Sequence, residues 1–308
     1  AGTVLVKDIR AGALGSYPAS PTTVNGLLFF TAYDAANGYE LWRSDGTTAG
    51  TVLVRDSRAG IYGSYPRQLT NSGGTLFFSA FDAINGYELW RSNGTALGTV
   101  LVKDVVPGSG SGSPVLLTNV GGTLYFRANS AGVGSELWKS DGTAVGTVLV
   151  KDILPGTGSS GPQRLTNVNG TLFFIANDGV NGRELWKSDG TSAGTSLVRD
   201  ISPSGNSFPG DLTNVNGTLY FDAGEATKLP QGKAILTLSP KFAIADIYEL
   251  RHFEIFSPDV AGAAKPDPAA FLAVLEKMKA DPEETAMVGD SLENDILPAQ
   301  SLGIKPIL

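Results

Sequence analysis

The chain contains no cysteine, which excludes a disulfide framework and any thiolate metal site. That absence fits an oxidising or a reducing compartment equally. No run of about 18 apolar residues occurs, so nothing in the sequence spans a membrane as a helix. Basic patches are missing too. The 23 Lys and Arg stand against 30 Asp and Glu, and a net charge of -7 argues against nucleic acid or an anionic membrane as a partner. Histidine occurs once and methionine twice, all beyond Glu225. By contrast, 39 Gly and 17 Pro suit many short strands joined by tight turns. A length of 308 residues has room for two ordinary domains and a substantial core. The opening "AGTVLVKDI" falls inside a repeat, with neither an initiator Met nor a signal peptide, so the expectation is a fragment or a processed form.

The repeat is the dominant feature. "YELWRSDGTTAGTVLVRD", Tyr39 to Asp56, recurs from Tyr87, Ser135 and Arg183, and Trp42, Trp90, Trp138 and Trp186 are spaced 48 residues apart. A fixed period of that length signals a stacked or radial architecture. Each unit carries four short apolar runs rich in β-branched or aromatic residues, which read as strands. Asn-Gly and Asp-Gly pairs punctuate them, at Asn37-Gly38, Asp45-Gly46, Asn85-Gly86, Asn93-Gly94, Asp141-Gly142, Asn181-Gly182 and Asp189-Gly190. Such pairs supply the positive φ of tight hairpins, so neighbouring strands should be antiparallel. Four strands per unit is the size of one propeller blade.

Four units are complete, and "FPGDLTNVNGTLYFDA" begins a fifth. The N-terminal "GTVLVKDI" is the fourth strand of a unit that starts elsewhere. A ring closed by Thr3–Ile9 leaves no unpaired edge, so a five-bladed β-propeller over 1–223 is expected, with an open solenoid as the rival. These residues resemble the bacterial repeat family named for Glu-Leu-Trp-x-x-Asp-Gly-Thr, with Asn93 replacing Asp once. That resemblance implies a surface or secreted protein acting in binding or display.

Several repeat residues admit a functional and a packing role. The four tryptophans could stack on a carbohydrate, or pack between blades. Asp34, Asn37 and Glu40 offer oxygens for calcium, or form a polar hairpin turn, and they lack the spacing of an EF-hand loop. Asp8, Asp56, Asp104, Asp152 and Asp200 end each "LV-x-D" run, where a carboxylate bonds turn amides.

Beyond Ala223 the pattern breaks. The residues from Glu225 hold 13 acidic against 8 basic side chains and the clearest helical periodicity, which marks 224–232 as a junction and 233–308 as a second region. "GKAILTLSP" and "TAMVGD" read as buried strands, "KPDPAAFLAVLEKMKADPEE" as a helix capped by Asp267, and "KPIL" as the start of another strand. This alternation predicts a parallel α/β sheet of Rossmann-like type.

"AILTLSP", "KPDP" and "VGDSLENDI" resemble the second to fourth motifs of haloacid dehalogenase-like hydrolases. By that resemblance Thr237 would hold a phosphoryl oxygen, Lys265 would neutralise charge, and Asp290 and Asp295 would serve Mg²⁺. A hard cation on carboxylates and positive charge around the equatorial oxygens suit phosphoryl transfer. The family's nucleophile belongs to an upstream Asp-x-Asp-x-Thr strand. The nearest matches are "RSDGT" and "KSDGT", where Arg43, Lys139 or Lys187 stands at the nucleophile position. Without that Asp the step has no attacking group.

Three readings stay open. One is a non-catalytic repeat propeller for a carbohydrate or protein ligand, secreted or at the cell surface, with an inactive hydrolase-like remnant. Another is a Mg²⁺-dependent phosphatase-like hydrolase, which would point to the cytoplasm. The last joins two unrelated segments in one chain. "KAILTLS" also starts where a fifth blade's third strand belongs, so residues 233–239 are an expected ring-closing strand.

Overall fold

A computed structural model describes residues 2–203 and 205–223, together with the backbone of 286–288 and 305–307. The repeat region is mainly β and propeller-like. Its first sheet comprises β1 (Ala19–Val24), β2 (Leu27–Asp34), β3 (Gly38–Ser44) and β4 (Val52–Arg55). The second holds β5 (Arg67–Ser72), β6 (Thr75–Asp82), β7 (Gly86–Ser92) and β8 (Val100–Lys103). The third holds β9 (Val115–Val120), β10 (Thr123–Ser130), β11 (Gly134–Ser140) and β12 (Val148–Lys151). The fourth holds β13 (Gln163–Val168), β14 (Thr171–Asn177), β15 (Arg183–Ser188) and β16 (Ser196–Arg199). Each is a four-stranded antiparallel meander, and β17 (Gly210–Val215) with β18 (Thr218–Asp222) begins a fifth.

The turns are more specialised than the sequence suggested. Val24 faces Leu27, and Asn25 and Gly26 between them have φ of 50° and 79°, the two positive values a type I′ hairpin needs. The two-residue hairpin thus falls between the first and second strands of each unit. At Asn37-Gly38 the loop has three residues between the paired Asp34 and Gly38, and only the glycine is positive, at 71°. A Cβ on Gly38 would stand 2.6 Å from the Gly63 nitrogen and the Ile61 oxygen, so this position excludes a side chain on space as well as on φ.

The core lies between sheets. Val24, Phe29, Leu41 and Val54 of the first sheet pack against Leu76, Phe78, Ala80 and Trp90 of the second. The pattern repeats one period on, where Leu89 and Val102 meet Phe126, Ala128 and Trp138. It repeats again where Leu137 and Val150 meet Phe174, Ala176 and Trp186. One sheet therefore cannot bury its own apolar faces, as expected of repeat units. The first sheet's outer face shows the consequence. Leu28 is 40% exposed, whereas its counterparts Leu76, Leu124 and Leu172 are fully buried.

The first strands run side by side in the order β1, β5, β9, β13, β17. Asn side chains lace them: Asn71 donates to the Thr23 carbonyl (3.0 Å), Asn167 to Asn119 (3.3 Å) and Asn214 to Asn167 (2.9 Å). Each of these asparagines also accepts from its own hairpin glycine.

Thr3–Ile9 differs from expectation in form. Residues 2–8 have no strand pairing, yet they dock where a preceding fourth strand would. Lys7 donates to the Thr51 carbonyl at 2.7 Å, as Lys103 does to Thr147 and Lys151 to Thr195, both at 2.8 Å. Ile9 packs against the cluster of Phe30, Ala32 and Trp42. Residues 233–239, the strand expected beside this segment, lie outside the described residues. In the second region β19 (Ala286–Val288) and β20 (Lys305–Ile307) pair in parallel, in keeping with the expected α/β sheet.

Candidate functional site

The residues that make the repeat signature chemically suggestive are engaged in holding successive units together. Glu40, Glu88, Glu136 and Glu184 are fully buried on their third strands. Glu40 accepts from the Ser64 amide (2.7 Å), the Ser64 hydroxyl (2.5 Å) and the Arg58 amide (3.3 Å), all in the loop to the next sheet. Glu136 does the same with Ser160 and Ile153, and Glu184 with Ser207 and Ile201. Glu88 uses the amides of Val105, Val106 and Gly112 instead. Burial pushes the Glu40 carboxyl up to about 7, and the hydrogen bonds from Ser64, Ser57 and Arg58 oppose that rise. Glu88 is likewise pushed to about 7 by burial, and Glu136 upward.

The Asp-Gly-Thr part is a self-bonded turn. The Asp45 carboxylate accepts from the Thr47 amide (2.9 Å) and hydroxyl (2.8 Å), and the Gly50 amide donates to the Thr47 hydroxyl (2.9 Å). Thr51 and Ser44 hydroxyls meet at 2.7 Å beneath it. Asn93 takes the part of Asp45 in the second unit, because an amide oxygen accepts from Thr95 as a carboxylate would. The carbonyls of Thr51, Thr99, Thr147 and Thr195 then receive Lys7, Arg55, Lys103 and Lys151 of the preceding unit.

Trp42, Trp90, Trp138 and Trp186 are 5–8% exposed and sit in the inter-sheet clusters. Their geometry is the packing role, and no ring face is free to stack on a sugar. Their Nε1 atoms are buried without a protein partner. The calcium set does not converge. Asp34 accepts from Asn37 and Ala36 in its own hairpin, while Glu40 turns to Ser64. Among the described residues no group of three potential metal-ligating side chains gathers. Asp56, Asp104 and Asp152 each accept from a turn glycine amide, at 3.3, 3.1 and 3.2 Å, as their position implied. Thr237, Lys265, Asp290 and Asp295 lie outside the described residues.

What sequence reading missed is a row of strained residues on the first strands. Ser20, Gln68, Leu116, Arg164 and Asp211 have φ between 41° and 59°, each within a register shift against the second strand. Left-handed backbone at Leu116 costs on the order of 1 kcal/mol and needs its surroundings to impose it. Four of the five meet in two pairs: the Gln68 side chain accepts from the Leu116 amide (3.0 Å), and Arg164 pairs with Asp211 (3.3 Å). Arg164, Thr166, Asp211 and Thr213 line an open cleft of about 510 Å³ there. The Leu-Thr-Asn that follows recurs from the second unit on, while these five are all different, as are the residues just before them, Ala19, Arg67, Val115, Gln163 and Gly210. That variation is readable by aligning the units position by position.

The family model described as "Hydrolase: haloacid dehalogenase-like hydrolase" matches residues 226–303. A phospholysine phosphohistidine inorganic pyrophosphate phosphatase from Xenopus laevis is 48% identical over 44 residues, which span 14% of this chain and 16% of that enzyme. Solved structures resembling the fold include a Mycobacterium tuberculosis puromycin-hydrolysing peptidase, at 14% identity and a TM-score of 0.40. The match covers 73% of this chain and 36% of that one. A prolyl endopeptidase matches at 12% identity and a TM-score of 0.38, over 87% of this chain and 44% of its own. Likenesses at these scores carry no argument about function. The chain thus spans less than half of the length of each of these proteins.

Proposed function

We propose that the repeat region is a non-catalytic, propeller-like binding module, displayed outside the cell, and that the hydrolase-like segment is an inactive remnant. In this reading the limits are 1–223 for the repeat region, 224–232 for a junction and 233–308 for the hydrolase-like segment, the family match starting inside the junction at 226. One observation carries the binding role. The Leu-Thr-Asn stretch shared by the first strands from the second unit on is engaged in the architecture, while the left-handed positions beside it vary, with Gln68 meeting Leu116 and Arg164 meeting Asp211. A carbohydrate or protein would be read by that varied row, as repeat proteins read ligands along a surface built by stacking. The buried tryptophans do not take part.

The "SDGT" aspartates also support the lack of catalysis. Asp45, Asp141 and Asp189 hold their own turns, with Thr47, Thr143 and Thr191 donating to them. None is placed as a phosphoryl nucleophile. Glycan and protein arrays probed with the chain and with Arg164→Glu test the binding role, with binding expected and weakened by the substitution. A second reading rests on the family match at 226–303, namely Mg²⁺-dependent phosphoryl hydrolysis using Lys265, Asp290 and Asp295. Magnesium would supply charge neutralisation there. Turnover of p-nitrophenyl phosphate with Mg²⁺ that disappears in Asp290→Asn would replace the first reading by the second.

A further inference from the structure

The loops before the first and second sheets build the same arrangement twice on one end of the molecule. Arg10 lies over the Tyr33 ring at 4.6 Å, and Tyr33 meets Tyr39 edge-on at 5.2 Å. One period later Arg58 lies over Phe81 at 4.7 Å, and Phe81 meets Tyr87 at 5.2 Å. The connecting loop adds Tyr65 on Tyr39 (5.6 Å) and Tyr62 beside Arg58 (5.1 Å), and the start of β5 adds Arg67 over Tyr87 (4.8 Å). These last three side chains are open to solvent, with Tyr62 64% and Tyr65 41% exposed. The third and fourth units abandon the arrangement. Their counterparts of Arg58, Phe81 and Tyr87 are Val106, Asn129 and Ser135, then Leu154, Asn177 and Arg183. It is thus not required by the fold.

Charge sets the patch apart. In a chain of net charge -7, Arg10, Arg58 and Arg67 make no ion pair with a carboxylate among the described residues. They are held by ring faces and by neutral acceptors, such as the Tyr87 hydroxyl that takes Arg67 at 3.0 Å. A guanidinium so held keeps its donors available for a carboxylate, which it can grip with two parallel bonds. Tyrosine and arginine packed together are the composition of binding hot spots between proteins. Their rings offer large area at low entropic cost.

We propose that this double Arg–aromatic platform binds an acidic segment of a partner protein, with carboxylates on Arg58 and Arg67 and an aromatic or aliphatic side chain against Tyr62 and Tyr65. This rests on the binding role proposed above and adds to the first-strand row a second contact surface, at the loop end of the first two sheets.

The test uses the full chain and a random copolymer of glutamate and tyrosine as probe, in a surface-binding assay at fixed ionic strength. Arg67→Glu and Tyr62→Ala should each weaken binding at least tenfold, with far-UV circular dichroism unchanged because both residues are exposed. Lys187→Glu, an exposed charge reversal on the fourth sheet, should leave it unchanged. Absence of copolymer binding, or equal loss in Lys187→Glu, overturns the platform. Binding of polygalacturonate in place of the copolymer also overturns it, yet leaves a binding role intact. Failure of both polymers and of the arrays, with Asp290-dependent phosphatase turnover, would remove the binding role itself.

Discussion

Replacing Glu40 separates two things that the buried carboxylates do. Glu40→Ala orphans the Ser64 amide and hydroxyl and the Arg58 amide, in a site where Glu40 and Ser64 are fully buried. Each stranded buried donor costs about 1–3 kcal/mol, so a loss of roughly 3–5 kcal/mol is expected. Glu40→Gln keeps one acceptor and can meet the Ser64 hydroxyl with its amide, because that hydroxyl can rotate. It should cost only about 1 kcal/mol at low pH. The pH profile is the sharper readout. The Glu40 carboxyl is raised by burial from 4.5 to about 7 in the folded chain. A raised folded pKa means the folded state holds the proton more tightly. The associated stability is fully present below the unfolded value and is lost as pH rises through 7. With about 1.4 kcal/mol per pKa unit, Glu40 should lose on the order of 2 kcal/mol between pH 5 and pH 8. Glu88 should add a loss of the same sign. Urea denaturation followed by fluorescence of the buried tryptophans at pH 5, 6, 7 and 8 measures this. Wild type should be most stable at the acid end, Glu40→Gln should have a shallower slope, and Glu40→Gln with Glu88→Gln shallower still. Stability that climbs from pH 5 to pH 8, or a slope untouched by the double substitution, would refute the assignment.

Further outcomes follow from packing and turn geometry. Leu76→Ala, at a fully buried site, should cost about 2–5 kcal/mol, and Leu28→Ala, at its 40% exposed counterpart, markedly less, by urea midpoint. Gly38→Ala should destabilise well beyond Gly26→Ala. Both have positive φ (71° and 79°), but only the first meets backbone at 2.6 Å; the second costs about 1–2 kcal/mol. Trp90→Ala should cost about 3–5 kcal/mol and abolish cooperative unfolding between the first two sheets, seen as separated transitions by two probes.

The spacing of the tryptophans and the alternation within each unit were enough to predict four-stranded antiparallel sheets. Those features depend on local pattern and on burying one face against a copy of itself. The turn chemistry was partly misplaced. Asn37-Gly38 looks like a two-residue hairpin, but Asp34 binds the Ala36 and Asn37 amides and lengthens the loop by a residue. Asn25-Gly26, at the end of the first run, holds the short turn. The left-handed residues of the first strands were invisible because Gln68 and Leu116 carry no glycine-like signal. The Leu116 amide meets the Gln68 side chain, 48 residues away in sequence. Glu40 reads from sequence as a calcium oxygen beside Asp34 or part of a polar turn, since its partner Ser64 lies 24 residues downstream and only the fold brings the two close. Sequence could supply the residue types for every site and not the pairs.

Each unit reaches forward: its Glu into the loop that follows, its Lys or Arg onto the next threonine carbonyl, its inner face under the next tryptophan. Donor half and acceptor half therefore travel together in any 48-residue window. A gene cut at one position of the period and rejoined at the same position a unit later yields a chain whose every junction already fits. Growth and loss by whole units need no compensating change, whereas an insertion of half a period would set donors against donors. The architecture carries its own rule of recombination, written in the direction of those ties.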